Sequence, residues 1–218
     1  MEIVTIPGIG YDSNIYLIQG KYSTIIDTGT GLNSTSVVQE LNKHLRSKVI
    51  NQIILTHEHY DHVGGTPDIM KEFDDCKLVA LSTALPKLRK GESSFASLLG
   101  GTMPRLEVNS ILEDGKKIII GDEEFLVLAT PGHSPGSLCL YNEKDHVLFS
   151  GDTVFADGGF GRYDFPGGNL QQLHDSVQRL THLSVDSLYP GHGPVITTKG
   201  SYHINLAYQN ICQCASYP

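Results

Sequence analysis

Thr56-His57-Glu58-His59-Tyr60-Asp61-His62-Val63-Gly64-Gly65 gathers three imidazoles and the Asp61 carboxylate into six successive positions, in a chain of 218 residues with 10 histidines. His57 and His59 lie two apart just beyond the apolar run Gln52–Leu55, so in extended backbone both side chains point to the same side. Asp61 and His62 carry the set into the loop and the next helix start, near enough to serve a second ion from the other side. Such a density of nitrogen and oxygen donors reads as metal-ligand chemistry rather than as a polar loop with surface histidines.

Three further residues repeat the context. His133 sits in Thr130-Pro131-Gly132-His133-Ser134-Pro135-Gly136, Asp152 in Ser150-Gly151-Asp152-Thr153, and His192 in Tyr189-Pro190-Gly191-His192-Gly193-Pro194, each where an apolar strand gives way to a glycine-containing loop. Singly, each is equally readable as a hydrogen-bonded turn residue. Together with His57, His59, Asp61 and His62 they exceed the three protein ligands and one water of a single catalytic zinc. Two ions bridged by one carboxylate account for the surplus. Cations ~3.5–4 Å apart lower the pKa of a shared water and polarise the oxygen under attack, which permits hydrolysis without a protein nucleophile.

Around these residues the pattern alternates between sheet and helix. Short strands are expected over 3–6, 14–18 and 23–26, then a helix over 34–45 with Val37, Val38, Leu41 and Leu45 on its apolar face. A strand over 52–55 leads into the histidine stretch, a helix from about Gly64 to Phe73 follows, and 77–81 is a strand. The segment 83–101 is helix or loop, interrupted by Gly91, Ser93, Ser94 and Gly100-Gly101, and suits a flap. Strands over 117–120, 123–129, 137–141 and 146–149 precede a helix over 169–180, a strand over 187–189 and a terminal helix over 202–212. Strand–strand–helix order recurring in two halves predicts an α/β fold: two mixed sheets with helices on their outer faces, a four-layer αββα sandwich in a single domain spanning 1–218.

Composition narrows the function. With 39% hydrophobic and 18% charged residues the chain is ordinary globular protein, and 24 acidic against 16 basic residues leave a formal charge of -8. Scattered Lys and Arg offer no stripe for a phosphate backbone, so no nucleic-acid partner is expected. Met1–Pro7 lacks the basic start and apolar run of a secretory signal, and no stretch is long and apolar enough to span a bilayer; a cytoplasmic protein with a small-molecule substrate is expected. Cys76 and Cys139 read as small core residues, and Cys212 and Cys214 as packing or surface thiols rather than ligands or disulfide partners. Tyr202, Tyr208 and Tyr217 suit either a subunit contact or a terminal helix lying on its own domain, which leaves the oligomeric state open.

The ordered set His57, His59, Asp61 and His62, then His133, Asp152 and His192, preceded by Asp27-Thr28-Gly29, resembles the metallo-β-lactamase superfamily over nearly the whole chain. The resemblance implies that His57, His59 and His133 hold one metal and Asp61, His62 and His192 a second, with Asp152 bridging both. It implies that Asp27 supports the ligands from outside, a position that also suits an Asx turn or helix cap. Gly151-Asp152-Thr153-Val154-Phe155 and Gly159-Phe160-Gly161-Arg162-Tyr163-Asp164 are similar to the glyoxalase II and persulfide dioxygenase branch, and Asp152 departs from the Cys-containing zinc site of many β-lactam hydrolases.

That branch implies a metal-dependent thioesterase acting on a hydroxyacyl-thiol, with Asp61 and Asp152 as catalytic ligands and two divalent ions, zinc first and iron or manganese next. The alternative it implies is a persulfide dioxygenase with one iron on His57, His133 and Asp152. Lactone and phosphodiester hydrolysis rank lower. Arg162 and Tyr163 are candidate contacts for a substrate carboxylate or amide, with an Arg162–Asp164 salt bridge as the structural alternative. The chain has no room for the long C-terminal helical region with which glyoxalase II grasps glutathione, so the thiol partner stays open.

Overall fold

The computed structural model describes residues 1–46, 49–92 and 96–215. Ser93 and Ser94 of the expected interruption, and Tyr217 of the terminal tyrosines, lie outside the described residues. The chain divides into two compact units, Met1–Leu112 with Ile118–Glu124, and Glu113–Lys117 with Phe125 onward.

The first unit is built on β1 (Glu2–Ile6), β2 (Ile15–Gln19), β3 (Thr24–Ile26), β4 (Gln52–Ile54), β5 (Lys77–Leu81) and β6 (Ser110–Leu112), hydrogen-bonded in that order. The first two pairings are antiparallel and the remaining three parallel, so the sheet is mixed. Ile15, Leu17, Ile25, Ile53, Leu78 and Ala80 alternate along their strands and join one core cluster. The same cluster takes in Val37 and Leu41 of α1 (Ser34–His44), Tyr60 and Val63 of α2 (Tyr60–Val63), Ile69 of α3 (Thr66–Glu72) and Leu88 of α4 (Leu85–Lys90). Period-2 strand faces thus meet helical stripes, which is how each element buries its apolar side. The intervening strand residues Tyr16, Ile18, Ile26, Ile54 and Val79 are buried as well, which explains why these strands read as continuous apolar runs.

The helix expected from Gly64 is split and begins earlier. α2 starts at Tyr60, and Gly64-Gly65 forms the joint before α3, whose first turn contains Pro67. A Cβ on Gly64 would stand 2.2 Å from the Thr30 carbonyl oxygen, and one on Gly65 2.2 Å from that of Thr28. Only glycine lets the two backbones come this close. β6, three residues long, was too short for alternation to reveal.

Strands β9 (Leu138–Asn142), β10 (Val147–Gly151), β11 (Ser187–Pro190) and β8 (Glu123–Ala129) from Phe125 onward belong to the second unit, whereas Ile118–Ile120 of β7 (Lys117–Ile120) belong to the first. The five-stranded sheet is ordered β11-β10-β9-β8-β7. β10 pairs parallel to β11 and antiparallel to β9. Leu128, Cys139, Tyr141, Leu148 and Leu188 form a second core cluster with Leu173, Val177 and Leu180 of α5 (Leu170–Leu180) and Ile204, Ala207 and Ile211 of α6 (Gly200–Ala215). Asn169 caps α5 by accepting a 2.9 Å hydrogen bond from the Gln172 amide. The terminal helix is longer than the 202–212 expected.

No cysteine forms a disulfide, and burial pushes the Cys76 thiol up to about 12 and the Cys139 thiol up to about 11, consistent with inert core residues. Among the described residues no helix is long and apolar enough to cross a membrane. Leu41, fully buried on α1, sets the first stability test: Leu41→Ala should cost about 2–5 kcal/mol in urea denaturation, and a loss below 1 kcal/mol on the same scale would mean the α1 face does not anchor this core.

Candidate metal centre

Five of the site residues singled out from the sequence, and Asp27, follow the C-terminal end of a strand directly or within a few residues, whereas Asp61 and His62 lie in α2 and Arg162 and Tyr163 in a later loop. Asp27 follows β3, His57 and His59 follow β4, His133 follows β8, Asp152 follows β10 and His192 follows β11. The parallel register Ile26↔Ile54 sets Asp27 level with the end of β4. In β10 the register against β11 shifts between Phe149 and Gly151, a bulge that re-aims the chain just before Asp152.

Asp27 is 2% exposed and adopts φ +57, a left-handed conformation uncommon for a non-glycine residue. One carboxylate oxygen accepts the Thr56 amide at 2.8 Å; the other accepts the Thr56 hydroxyl at 2.7 Å and His62 Nδ1 at 2.8 Å. A carboxylate only accepts, so Nδ1 of His62 carries the proton and Nε2 presents its lone pair, 3.7 Å from Asp61 Oδ2. The Thr28 amide and hydroxyl both donate to the His62 carbonyl, at 2.8 and 2.9 Å. His59 is the residue before α2, and Asp61 and His62 lie within it, so one helical turn delivers three of the donors.

The same logic holds His133. Its Nδ1 donates to the Arg162 carbonyl at 2.7 Å, leaving Nε2 3.5 Å from Asp152 Oδ2. His192 Nε2 stands 3.6 Å from that oxygen. Gly132, at φ +133, lets the loop pass close to α5; a Cβ there would meet the Leu173 amide nitrogen at 2.1 Å.

The ligand atoms of His57, His59 and His133 lie within 4.8 Å of one another, as do those of Asp61, His62, Asp152 and His192. Donors so spaced fit around ions whose bonds are ~2.0–2.2 Å with a small contraction. The imidazoles with Nδ1 tied to a carbonyl or carboxylate have the arrangement that orients metal-bound histidines. Two histidine and aspartate clusters therefore match a dinuclear metal centre.

Outside these clusters, Arg162 donates to Asp164 through Nε at 2.9 Å and a terminal nitrogen at 2.6 Å, with its guanidinium 4.2 Å from the Phe165 ring. That ion pair raises Arg162 above its ordinary value and lowers Asp164 below its own. Tyr163 packs against the second core cluster. The sequence reading passed over Glu58, which is 1% exposed between two of the histidines and paired with Lys87 at 3.2 Å. A glutamate flanked by histidines carries no local signal that a lysine of α4 will neutralise it.

Comparison with known proteins places this geometry. The family model of the metallo-beta-lactamase superfamily matches residues 8–192. The probable metallo-hydrolase MJ0888 of Methanocaldococcus jannaschii is 34% identical over 88% of this chain and 93% of its own length. Hydroxyacylglutathione hydrolase of Pectobacterium carotovorum is 28% identical over 86% of this chain, which spans 64% of that relative. The crystal structure of TTHA1623 in a di-iron-bound form superposes with a TM-score of 0.74 at 28% identity, covering 95% of this chain and 96% of that one. The chain belongs to the metallo-β-lactamase superfamily and has its αββα fold. With this ligand set on that scaffold, it is a metal-dependent hydrolase.

Asp27→Ala removes the acceptor of the His62 Nδ1 proton. Metal affinity should fall about 10–100-fold in a chelator-competition titration while the circular dichroism spectrum is kept; unchanged affinity would show that His62 needs no such support.

Proposed function

We propose that the protein hydrolyses thioesters of small acyl-thiols with two divalent ions, zinc in the first place. The observation that carries this reading is the division of seven side chains into two donor groups. In the proposal His57, His59 and His133 hold one ion, Asp61, His62 and His192 hold the other, and Asp152 is shared. The ions, when bound, would supply Lewis acidity, lowering the pKa of water and polarising the carbonyl under attack. The protein's part is placement. Asp27 and the Arg162 carbonyl hold His62 and His133 in the tautomer whose Nε2 faces inward, and Asp61 orients the attacking water.

The hydroxyacylglutathione hydrolase relative supports a thioester substrate, and the di-iron TTHA1623 structure supports iron as a competent second choice of metal. Because the ligand groups contain imidazole and carboxylate and no thiolate, the donor set itself accepts zinc, iron or manganese. Arg162, its side chain 64% exposed, is the proposed contact for a substrate carboxylate, with Tyr163 beside it. A small-molecule substrate and a cytoplasmic setting belong to the same proposal, in keeping with the acidic charge and the scattered basic residues.

Metal analysis and a thioester panel test the reading together. The expected result is two ions per chain, turnover of acyl-thiol esters, and loss of both metal and activity in Asp152→Ala with the fold retained. A single iron per chain with persulfide-dependent oxygen uptake would replace thioester hydrolysis with the oxidative alternative, and unchanged turnover in Asp152→Ala would remove the centre from the chemistry.

A further inference from the structure

The second unit contains another reactive constellation, none of whose residues belongs to either ligand group. Cys212 on α6 lies with its sulfur 3.5 Å from His174 Nε2 on α5, and His174 Nδ1 lies 3.0 Å from Asp175 Oδ1. Hydrogen bonds from His174 first, then from Gln171 at 2.9 Å, hold the Asp175 carboxyl below its ordinary value. Asp175 is therefore a carboxylate and accepts the Nδ1 proton of His174. Nε2 is left as the acceptor that faces the Cys212 thiol. A nucleophile within reach of a base that a third group orients is the signature of an activated side chain. The Tyr208 ring lies 5.4 Å from that of His174, and burial first, then the neighbouring Cys212, raise its phenol above the ordinary value.

Packing makes this arrangement durable. Leu173 and Val177 of α5 and Ala207 and Ile211 of α6 belong to one buried cluster, so the helices that carry His174 and Cys212 are locked together. Cys212 is nevertheless partly exposed, unlike the buried Cys76 and Cys139. Cys214, two residues on and exposed, lies about 200° round the helix. It cannot reach Cys212 to close a disulfide within α6.

We propose that Cys212 is a modification site for small-molecule disulfides, with His174 as its base and Asp175 as a positioning residue. The Cys212 thiol gives its proton to His174 Nε2 as its sulfur attacks one sulfur of the incoming disulfide. The disulfide's S–S bond breaks, a new S–S bond joins Cys212 to one half, and the other half leaves as a thiolate that takes the proton back from His174. Cys212 is oxidised to the mixed disulfide and one equivalent of free thiol is released. With Cys214 on the opposite side of the helix, the adduct persists until an external thiol removes it.

The test uses the full chain and bis(2-hydroxyethyl) disulfide, with adducts at each cysteine followed by peptide mass spectrometry. Accessibility alone would favour Cys214. The proposal expects Cys212 to react about tenfold faster or more than Cys214, and His174→Gln to remove that advantage without changing the Cys214 rate. Asp175→Asn, a change to an exposed carboxylate, should slow Cys212 several-fold and decides the matter if His174→Gln fails to fold. Treatment with an external thiol should restore the unmodified mass. Equal or faster reaction at Cys214 in the natural sequence, or a Cys212 rate indifferent to a folded His174 or Asp175 variant, overturns the proposal. The readout is an adduct mass, so its failure is distinct from any failure of the thioester reading.

Discussion

A single buried carboxylate, that of Asp27, ties the ligand-bearing part of the first unit together. It receives the Thr56 amide and hydroxyl and the His62 ring. Removing a carboxylate from water is expensive, and the cost is offset only where its lone pairs meet well-placed donors, as they do here. Because those donors come from the end of β4 and from α2, the carboxylate fixes the stretch that contains His57, His59, Asp61 and His62 at both of its ends. The positive φ of Asp27 turns the chain out of β3 so that the side chain points toward Thr56 and His62 rather than along the strand.

Around that carboxylate the backbone is packed tightly enough to exclude side chains. Gly64 and Gly65 admit the carbonyls of Thr30 and Thr28, and the Gly65 amide donates to the Gly29 carbonyl at 3.0 Å. The loop after β3 and the joint between α2 and α3 thus brace each other through main-chain atoms. Main-chain contacts vary less with rotamer than side-chain contacts do, which suits ligands that must be held to within about 0.5 Å. In the second unit the Gly132 carbonyl accepts the Asn169 amide at 2.8 Å, fastening the His133 loop to the start of α5.

The fold was legible wherever a period was sustained. Val37 and Leu41 on α1, the apolar runs of β2, β4 and β5, and the hairpin strands of the second unit declared themselves because burial on a helix stripe or a sheet face imposes a repeat. Where tertiary contact overrides local pattern the reading slipped. The break at Gly64-Gly65 depends on carbonyls more than thirty residues earlier, and β6 depends on its pairing with β5. The residues of the two donor groups were legible for a different reason: His and Asp after strand ends form a chemical pattern independent of exact element boundaries. Glu58 with Lys87, and His174 with Cys212, were not, because each joins residues distant along the chain that have no motif in common.

Burial is uneven across the two donor groups. His62 and His133 are nearly inaccessible, whereas the side chains of Asp61 and His192 are 24% and 35% exposed. Within the second donor group, Asp61 and His192 are thus the members whose side chains reach solvent. Of the deeply buried donors, His62 and His133 have their Nδ1 positions committed to Asp27 and to the Arg162 carbonyl, while His57 Nδ1 lies 3.1 Å from the Thr56 hydroxyl. The Arg162 carbonyl belongs to the same loop whose side chains reach the surface at Arg162 and Asp164, so that loop holds His133 through its main chain while its side chains face solvent. Because that hold on His133 is through a carbonyl, it does not depend on which side chains the loop carries.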